Sequence, residues 1–184
     1  MLKPNYMDGR FFVSPVLGCL GACSYCYLEL HDYARPRINI LSIEEIRNIA
    51  TRCPDFVFGK SGTIISVGAW GDIFPHGFHD LIKHSVTMIT DLLHWGNPIQ
   101  IMSRYELPNE YISKIVDSIQ YPGQLLYSTT ITSIDNWRQI EPLTSDPIKR
   151  LETCLHFHKY GVPTNVLLKP FFSKSNRNRA RSHC

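Results

Sequence analysis

Gly18-Cys19-Leu20-Gly21-Ala22-Cys23-Ser24-Tyr25-Cys26-Tyr27 follows directly on the apolar run Phe11 to Leu17 and carries three thiols at C-x3-C-x2-C spacing. Three thiolates in so short a loop can wrap one iron-sulfur cluster. Such clusters are normally held by four cysteines, so a nest of three leaves one iron with an open coordination position. Gly18, Gly21 and Ala22 let the backbone bend closely around it. A ligand loop at the end of a first strand also suggests an architecture in which the chemistry collects just after the strands.

Outward from this loop the chain alternates short apolar runs with amphipathic segments, the pattern of repeated strand-helix units and a parallel sheet. The expected strands are Phe11 to Leu17, Thr63 to Val67, Ile99 to Ser103, Leu125 to Thr130 and Thr164 to Leu168, all rich in β-branched or aromatic residues. Ser42 with Glu45 three residues later is a capping box that opens a helix ending near Pro54. Asp146-Pro147 opens another, which Gly161 closes. Two further helices are expected over Phe78 to Leu93 and Pro108 to Ser118. Five such units suggest an α/β fold, a partial (βα) barrel of the TIM type with parallel strands, cut short after the fifth strand.

At 184 residues and 43% hydrophobic, the chain can bury a real core. A formal charge of +3 is too small to argue for nucleic acid by composition. Lys174, Arg177, Arg179 and Arg181 crowd a Ser- and Asn-rich end, so the expected organisation is a core domain over 1–172 and a basic, disordered tail over 173–184. There is no run of about 18 apolar residues and no apolar signal core near the start, which points away from the membrane and to the cytoplasm. Half of the six cysteines fall within eight residues, a clustering that a metal site in a reducing compartment explains better than disulfides. Zinc is another use for the thiols. Its ligands usually come as two separated pairs, and although His31 and Cys53 are candidates for a fourth ligand, no second CxxC occurs. Cys154 lies on the apolar side of its helix and reads as core.

The loop, with an aromatic before its last cysteine, resembles the signature of the radical S-adenosylmethionine superfamily. The resemblance implies a 4Fe-4S cluster held by Cys19, Cys23 and Cys26. Its open iron would chelate S-adenosylmethionine, which one electron from a flavodoxin- or ferredoxin-type donor cleaves to a 5′-deoxyadenosyl radical that abstracts hydrogen from substrate. A closer similarity is to the spore photoproduct lyase family of DNA repair enzymes. GCLGACSYCYL looks like that family's cluster loop, including Tyr25 and Tyr27. Gly68-Ala69-Trp70-Gly71-Asp72 falls where the family has a short cofactor motif ending in Asp. Met102 to Glu106 resembles its third-strand end, with Ser103-Arg104 in place of a Thr-Lys pair. Leu126-Tyr127-Ser128 matches its fourth strand, whose serine contacts the cofactor, and Ile140 to Phe171 is similar throughout. The similarity spans roughly residues 11 to 172.

Asp72, Arg104, Ser128 and Tyr25 are therefore candidate cofactor contacts, and Tyr25 and Tyr27 candidate catalytic residues that relay hydrogen atoms in the family. Read from the residues alone, Asp72 is equally a turn residue and Ser128 equally a sheet serine bonded to backbone. Arg104 keeps a cation for the cofactor carboxylate and can grip it with two bonds. Ala69 stands where the family's lyase has the cysteine that returns a hydrogen, so that thiol is missing here. Glu141 is placed to pair with Arg150, and His76 with His79 beside Asp72 are read as loop histidines. Two functions are carried forward. One is a radical S-adenosylmethionine enzyme with a nucleic-acid or other substrate, and the other is a truncated, catalytically silent cluster-binding module.

Overall fold

Asp8 and Gly9 both take positive φ, 51° and 74°, and join β1 (Asn5–Met7) to β2 (Arg10–Val13) in a tight antiparallel hairpin. An Asp-Gly pair is the residue choice that such a two-residue turn favours. The computed structural model describes residues 4–28, 37–38 and 42–170. The basic tail expected over 173–184, and His31, lie outside the described residues.

The first expected strand, Phe11 to Leu17, is in fact two. Pro15 has no N–H to continue a ladder, so β2 ends at Val13 and β3 (Val16–Leu17) leaves to pair antiparallel with β4 (Arg37–Ile38). The remaining elements, except the short helix over 137–140, fall close to their expected places. α1 (Ile43–Arg52) starts with the capping box: Glu45 N–H donates to Ser42 Oγ at 3.2 Å and Ser42 N–H donates to Glu45 Oε2 at 2.8 Å. After it come β5 (Ile64–Val67), α2 (His79–Leu93), β6 (Ile99–Ser103), α3 (Asn109–Asp117) and β7 (Leu125–Ile131). The short α4 (Trp137–Ile140), α5 (Pro147–Lys159) and β8 (Thr164–Leu168) complete the order. Asp146 caps α5 by accepting from Ile148 N–H at 2.8 Å, and Gly161 leaves it at φ 79°.

β2, β5, β6, β7 and β8 are all parallel and lie in chain order in a six-stranded sheet edged by β1. Sequential parallel strands joined through helices form the wall of a (βα) barrel. The sheet is an open arc of that wall. Alternation along the strands divides its faces. Phe11, Ile65, Val67, Ile99, Ile101, Leu125 and Tyr127 belong to the core, with Ile82, Val86, Ile89, Leu92 and Leu93 of α2, Ile112 and Ile115 of α3, and Phe157 of α5. Each such buried side chain contributes about 1.5–3 kcal/mol relative to exposure. Phe12, Ser66, Gln100, Met102, Leu126 and Ser128 alternate with these residues and share the opposite face. Asp72 and Arg104 follow the C-terminal ends of the parallel strands β5 and β6, and the cysteine loop follows β3 beside them. No helix among the described residues is long and apolar enough to cross a membrane.

Candidate functional site

The cysteine loop is pinned where it begins. Gly18, at φ 83°, donates its N–H to Trp70 O at 2.8 Å and forms a parallel bridge with Gly71, the residue before Asp72. A Cβ at Gly71 would sit 2.2 Å from Gly18 O, so only glycine permits the crossing. Further along, a Cβ at Gly21 would meet Cys23 Sγ at 3.3 Å, Cys19 Sγ at 3.4 Å and Thr144 at 3.0 Å. Its absence leaves room between two sulfurs. Ala22 takes φ 46°, a left-handed conformation uncommon for a residue with a side chain. Gly21 N–H donates to Cys19 Sγ at 3.3 Å, and Cys26 N–H donates to Cys23 O at 3.0 Å.

Cys19, Cys23 and Cys26 are free thiols. Burial first, then the nearby Asp72, pushes Cys19 up to about 11. Burial also pushes Cys23 up to about 12 against the opposing charge of Arg104. As bare thiols these two keep their protons at neutral pH, and metal binding must displace them. Among the described residues no group of three or more His, Cys, Asp or Glu side chains, these cysteines included, closes on one point as a single ion requires. Cys53 serves as the C-cap of α1, and His31 lies outside the described residues. The donor set fits a cluster better than one zinc ion: three thiols in one loop, a sulfur accepting a backbone N–H, and space made by glycine.

Asp72, after β5, is buried and ties two strand ends together. Its Oδ1 accepts from Phe74 N–H at 3.2 Å, two residues on, and from Ser103 Oγ at 2.5 Å. Its Oδ2 accepts from Arg104 N–H at 2.7 Å. The turn reading of Asp72 thus describes part of its work, and a carboxylate with about four lone-pair sites keeps room for one more donor. Burial raises its pKa, and the three hydrogen bonds and Arg104 oppose that rise. Burial works against the Arg104 charge too, but Tyr25, Cys23, Asp72 and Glu141 together outweigh it and raise its pKa. Tyr105, the next residue, is buried with its hydroxyl against the Cys19 thiol and without a regular hydrogen bond among the described residues.

The segment after α4 closes the site from the β7 side. Ser24 N–H donates to Ile140 O at 2.9 Å, Leu143 N–H to Gly21 O at 3.3 Å, and Ser145 N–H to Arg104 O at 3.2 Å. These bonds bind one loop to both the cysteine loop and the β6 end. Glu141, fully buried, pairs with Arg150 at 2.8 Å as expected. It does more than that. Its Oε1 lies 3.3 Å from Arg104 Nε and accepts a short hydrogen bond from the Tyr25 hydroxyl. Arg104 sits 5.8 Å over the Tyr25 ring. Sequence reasoning saw the Glu141 and Arg150 pair but not its reach across the sheet, for which Glu-Pro in a loop carries no signal.

Tyr27, about half exposed, donates its hydroxyl to Ala69 O at 2.7 Å and meets Trp70 edge-to-face at 6.3 Å. Burial, then the Cys26 thiol, raises its pKa. Tyr25, Asp72, Arg104 and Glu141 thus meet beside the cysteine loop. Ser128 stands opposite Met102 on β7, with its hydroxyl fully buried and unpartnered among the described residues. Its expected alternative, a backbone-bonded sheet serine, is not what the structure holds. His76, largely exposed and 3.7 Å from Glu106, lines a separate cleft of about 330 Å³ with His79, Lys149, Glu152 and His156. Cys154 is buried in the core.

No family model matches the chain. It is 25% identical over 162 residues to spore photoproduct lyase of Bacillus subtilis (strain 168), an alignment covering 84% of this chain and 44% of that protein. Among solved structures, spore photoproduct lyase complexed with dinucleoside spore photoproduct matches with a TM-score of 0.65 at 19% identity, covering 97% of this chain and 52% of the other. A cysteine-to-alanine, serine-to-cysteine double mutant of that lyase with bound AdoMet and dinucleoside spore photoproduct gives the same TM-score at 20% identity, over 97% of this chain and 51% of the other. The chain spans about half the length of these relatives, and the α/β architecture with its parallel sheet is common to them.

Proposed function

We propose that the chain is a radical S-adenosylmethionine protein of the spore photoproduct lyase type, with a 4Fe-4S cluster held by Cys19, Cys23 and Cys26. The observation that carries the reading is the meeting of three free thiols with Arg104, Asp72 and Tyr25 at the C-terminal ends of parallel strands. One-electron reductive cleavage of the sulfonium, then hydrogen abstraction from substrate, is the chemistry that such a cluster and cofactor supply when bound.

The residues around the thiols have distinct tasks. Arg104 Nε lies 3.3 Å from Glu141 Oε1, a charge contact without a hydrogen bond, and its terminal nitrogens make no hydrogen bond among the described residues. They are free to grip a carboxylate in two parallel bonds. Asp72 orients the Arg104 backbone and has one acceptor position left for the cofactor's ammonium. Ser128 Oγ, buried without a partner among the described residues, answers a polar atom of the cofactor. Tyr25 and Tyr27 flank Cys26 and exclude water from the cluster.

A lyase neighbour holding AdoMet and a dinucleoside photoproduct supports the same two ligand classes here. The substrate is then a nucleic-acid lesion, flipped out at a cost of a few kcal/mol of unstacking. Electrons come from a flavodoxin- or ferredoxin-type protein in the cytoplasm. A second reading, a cluster-binding module without turnover, is favoured by one feature: Ala69 offers Tyr27 a carbonyl and no thiol.

Anaerobic reconstitution with iron and sulfide, then dithionite and S-adenosylmethionine, separates the readings. 5′-Deoxyadenosine release is expected from the enzyme. A stable cluster with none selects the module, and protein that takes up neither iron nor sulfide overturns both. Cys23→Ala is expected to abolish cluster and release together.

A further inference from the structure

Glu141 carries more contacts than a strut for one loop needs. Its carboxylate is fully buried between two arginines and a phenol that come from three different parts of the chain. Arg150, behind it, is likewise fully buried and tied at each nitrogen: Nε donates to Ser145 O at 2.7 Å, one terminal nitrogen to Thr130 O at 2.8 Å, and the other to Thr144 Oγ1 at 2.5 Å. Arg150 therefore cannot turn toward a ligand. Arg104 differs: its Nε has only the 3.3 Å charge contact with Glu141 and no hydrogen bond among the described residues, and it is 27% exposed. A guanidinium on a flexible stem is a poor ligand clamp until something fixes its plane.

We propose that Glu141 is a positioning residue for the cofactor end of the site: held by Arg150, its carboxylate fixes the plane of Arg104 for the cofactor carboxylate and anchors Tyr25 beside Cys26. The inference rests on the function proposed above. It adds that cluster loop and carboxylate clamp share one buried anion, so neither is placed independently of the other. The charges balance only as a set. Glu141 and Asp72 offset Arg150 and Arg104, and a cofactor that brings its ammonium with its carboxylate leaves that balance intact.

Removing Glu141 alone strands Arg150 in the interior. The decisive variant is the double replacement Glu141→Gln with Arg150→Met, which removes both charges at similar volume. Arg150→Met also takes the donor from Ser145 O, Thr130 O and Thr144 Oγ1, so circular dichroism and cluster content are read before affinity. The expected result is a protein with wild-type circular dichroism, iron and sulfide, whose S-adenosylmethionine affinity falls about 10- to 100-fold. The electron paramagnetic resonance change that the cofactor induces in the reduced cluster is lost with it. Wild-type affinity and an unchanged spectral response in that variant overturn the positioning role. Should the double variant not fold, Tyr25→Phe decides: cutting the hydroxyl link is expected to speed iron loss to a chelator, and an unchanged rate overturns the proposal. Reconstituted wild-type protein that holds iron yet gives no spectral response to the cofactor instead overturns the proposed function itself.

Discussion

Gly71→Ala puts a methyl carbon 2.2 Å from Gly18 O and 3.0 Å from both Gly18 N and Gly18 C. Ordinary contact begins about 1 Å farther out, and the obstacle is backbone, which cannot swing aside as a side-chain tip would. Relief requires Gly18 to retreat, stretching its 2.8 Å hydrogen bond to Trp70 O and carrying Cys19 with it. Overpacking of this kind costs about 1–3 kcal/mol, and each kcal/mol lowers Tm by about 2–4 °C at this size. Gly123→Ala is the control. A Cβ there meets nothing within 4 Å, and the price is only that of φ 81°, about 1 kcal/mol. Thermal melts of the metal-free proteins, with iron and sulfide counted per chain after reconstitution, separate the two. Both variants melt lower than wild type, and Gly71→Ala alone also takes up less iron. A Gly71→Ala protein that melts no lower than Gly123→Ala and fills with iron normally refutes the idea that this crossing places the first cysteine.

Ser128→Ala removes a fully buried hydroxyl without a partner among the described residues, whose desolvation costs about 1–3 kcal/mol. The metal-free variant is expected to unfold at higher urea while binding S-adenosylmethionine more weakly; lower stability with unchanged affinity assigns the serine to the fold. Burial raises Cys19 and Cys154 to about 11 and Cys23 to about 12, from about 8.5 in an unfolded chain. Tyr25, Tyr105 and Tyr127 are raised as well, again mainly by burial. The folded state then keeps protons that the unfolded chain releases, so the stability of metal-free protein is complete below about pH 8.5 and falls as pH climbs toward 11–12. Urea midpoints at pH 7, 8.5 and 10 check the sign, and a midpoint that rises over that range contradicts it.

Much of the fold was legible because its signals are local. The Ser42 and Glu45 capping box, Asp146 before Pro147, and Gly161 at φ 79° are written in neighbouring residues and gave helix limits within a residue or two. The split at Pro15 and the Asp8-Gly9 hairpin are equally local signals, masked by the apolar run from Phe11 to Leu17. The candidate site was legible in kind rather than in wiring. Spacing named the three thiols, and resemblance named Asp72, Arg104 and Ser128. Neither could say that Asp72 spends three acceptor positions on Phe74, Ser103 and Arg104, or that Ser128 spends none.

By itself the sequence determined the chemistry on offer: three cysteines within one loop, a cation after one strand, an acid after another, and parallel strands to carry them. These depend on residue type and short spacing, which a linear chain displays. Only the tertiary structure decided which groups share a charge. Tyr25, Arg104, Glu141 and Arg150 are separated by up to more than a hundred residues, yet meet in a buried cluster where desolvation makes every unpaired charge expensive. The partner of a buried ion is fixed by that penalty and by strand order, and neither is visible until the chain has closed on itself.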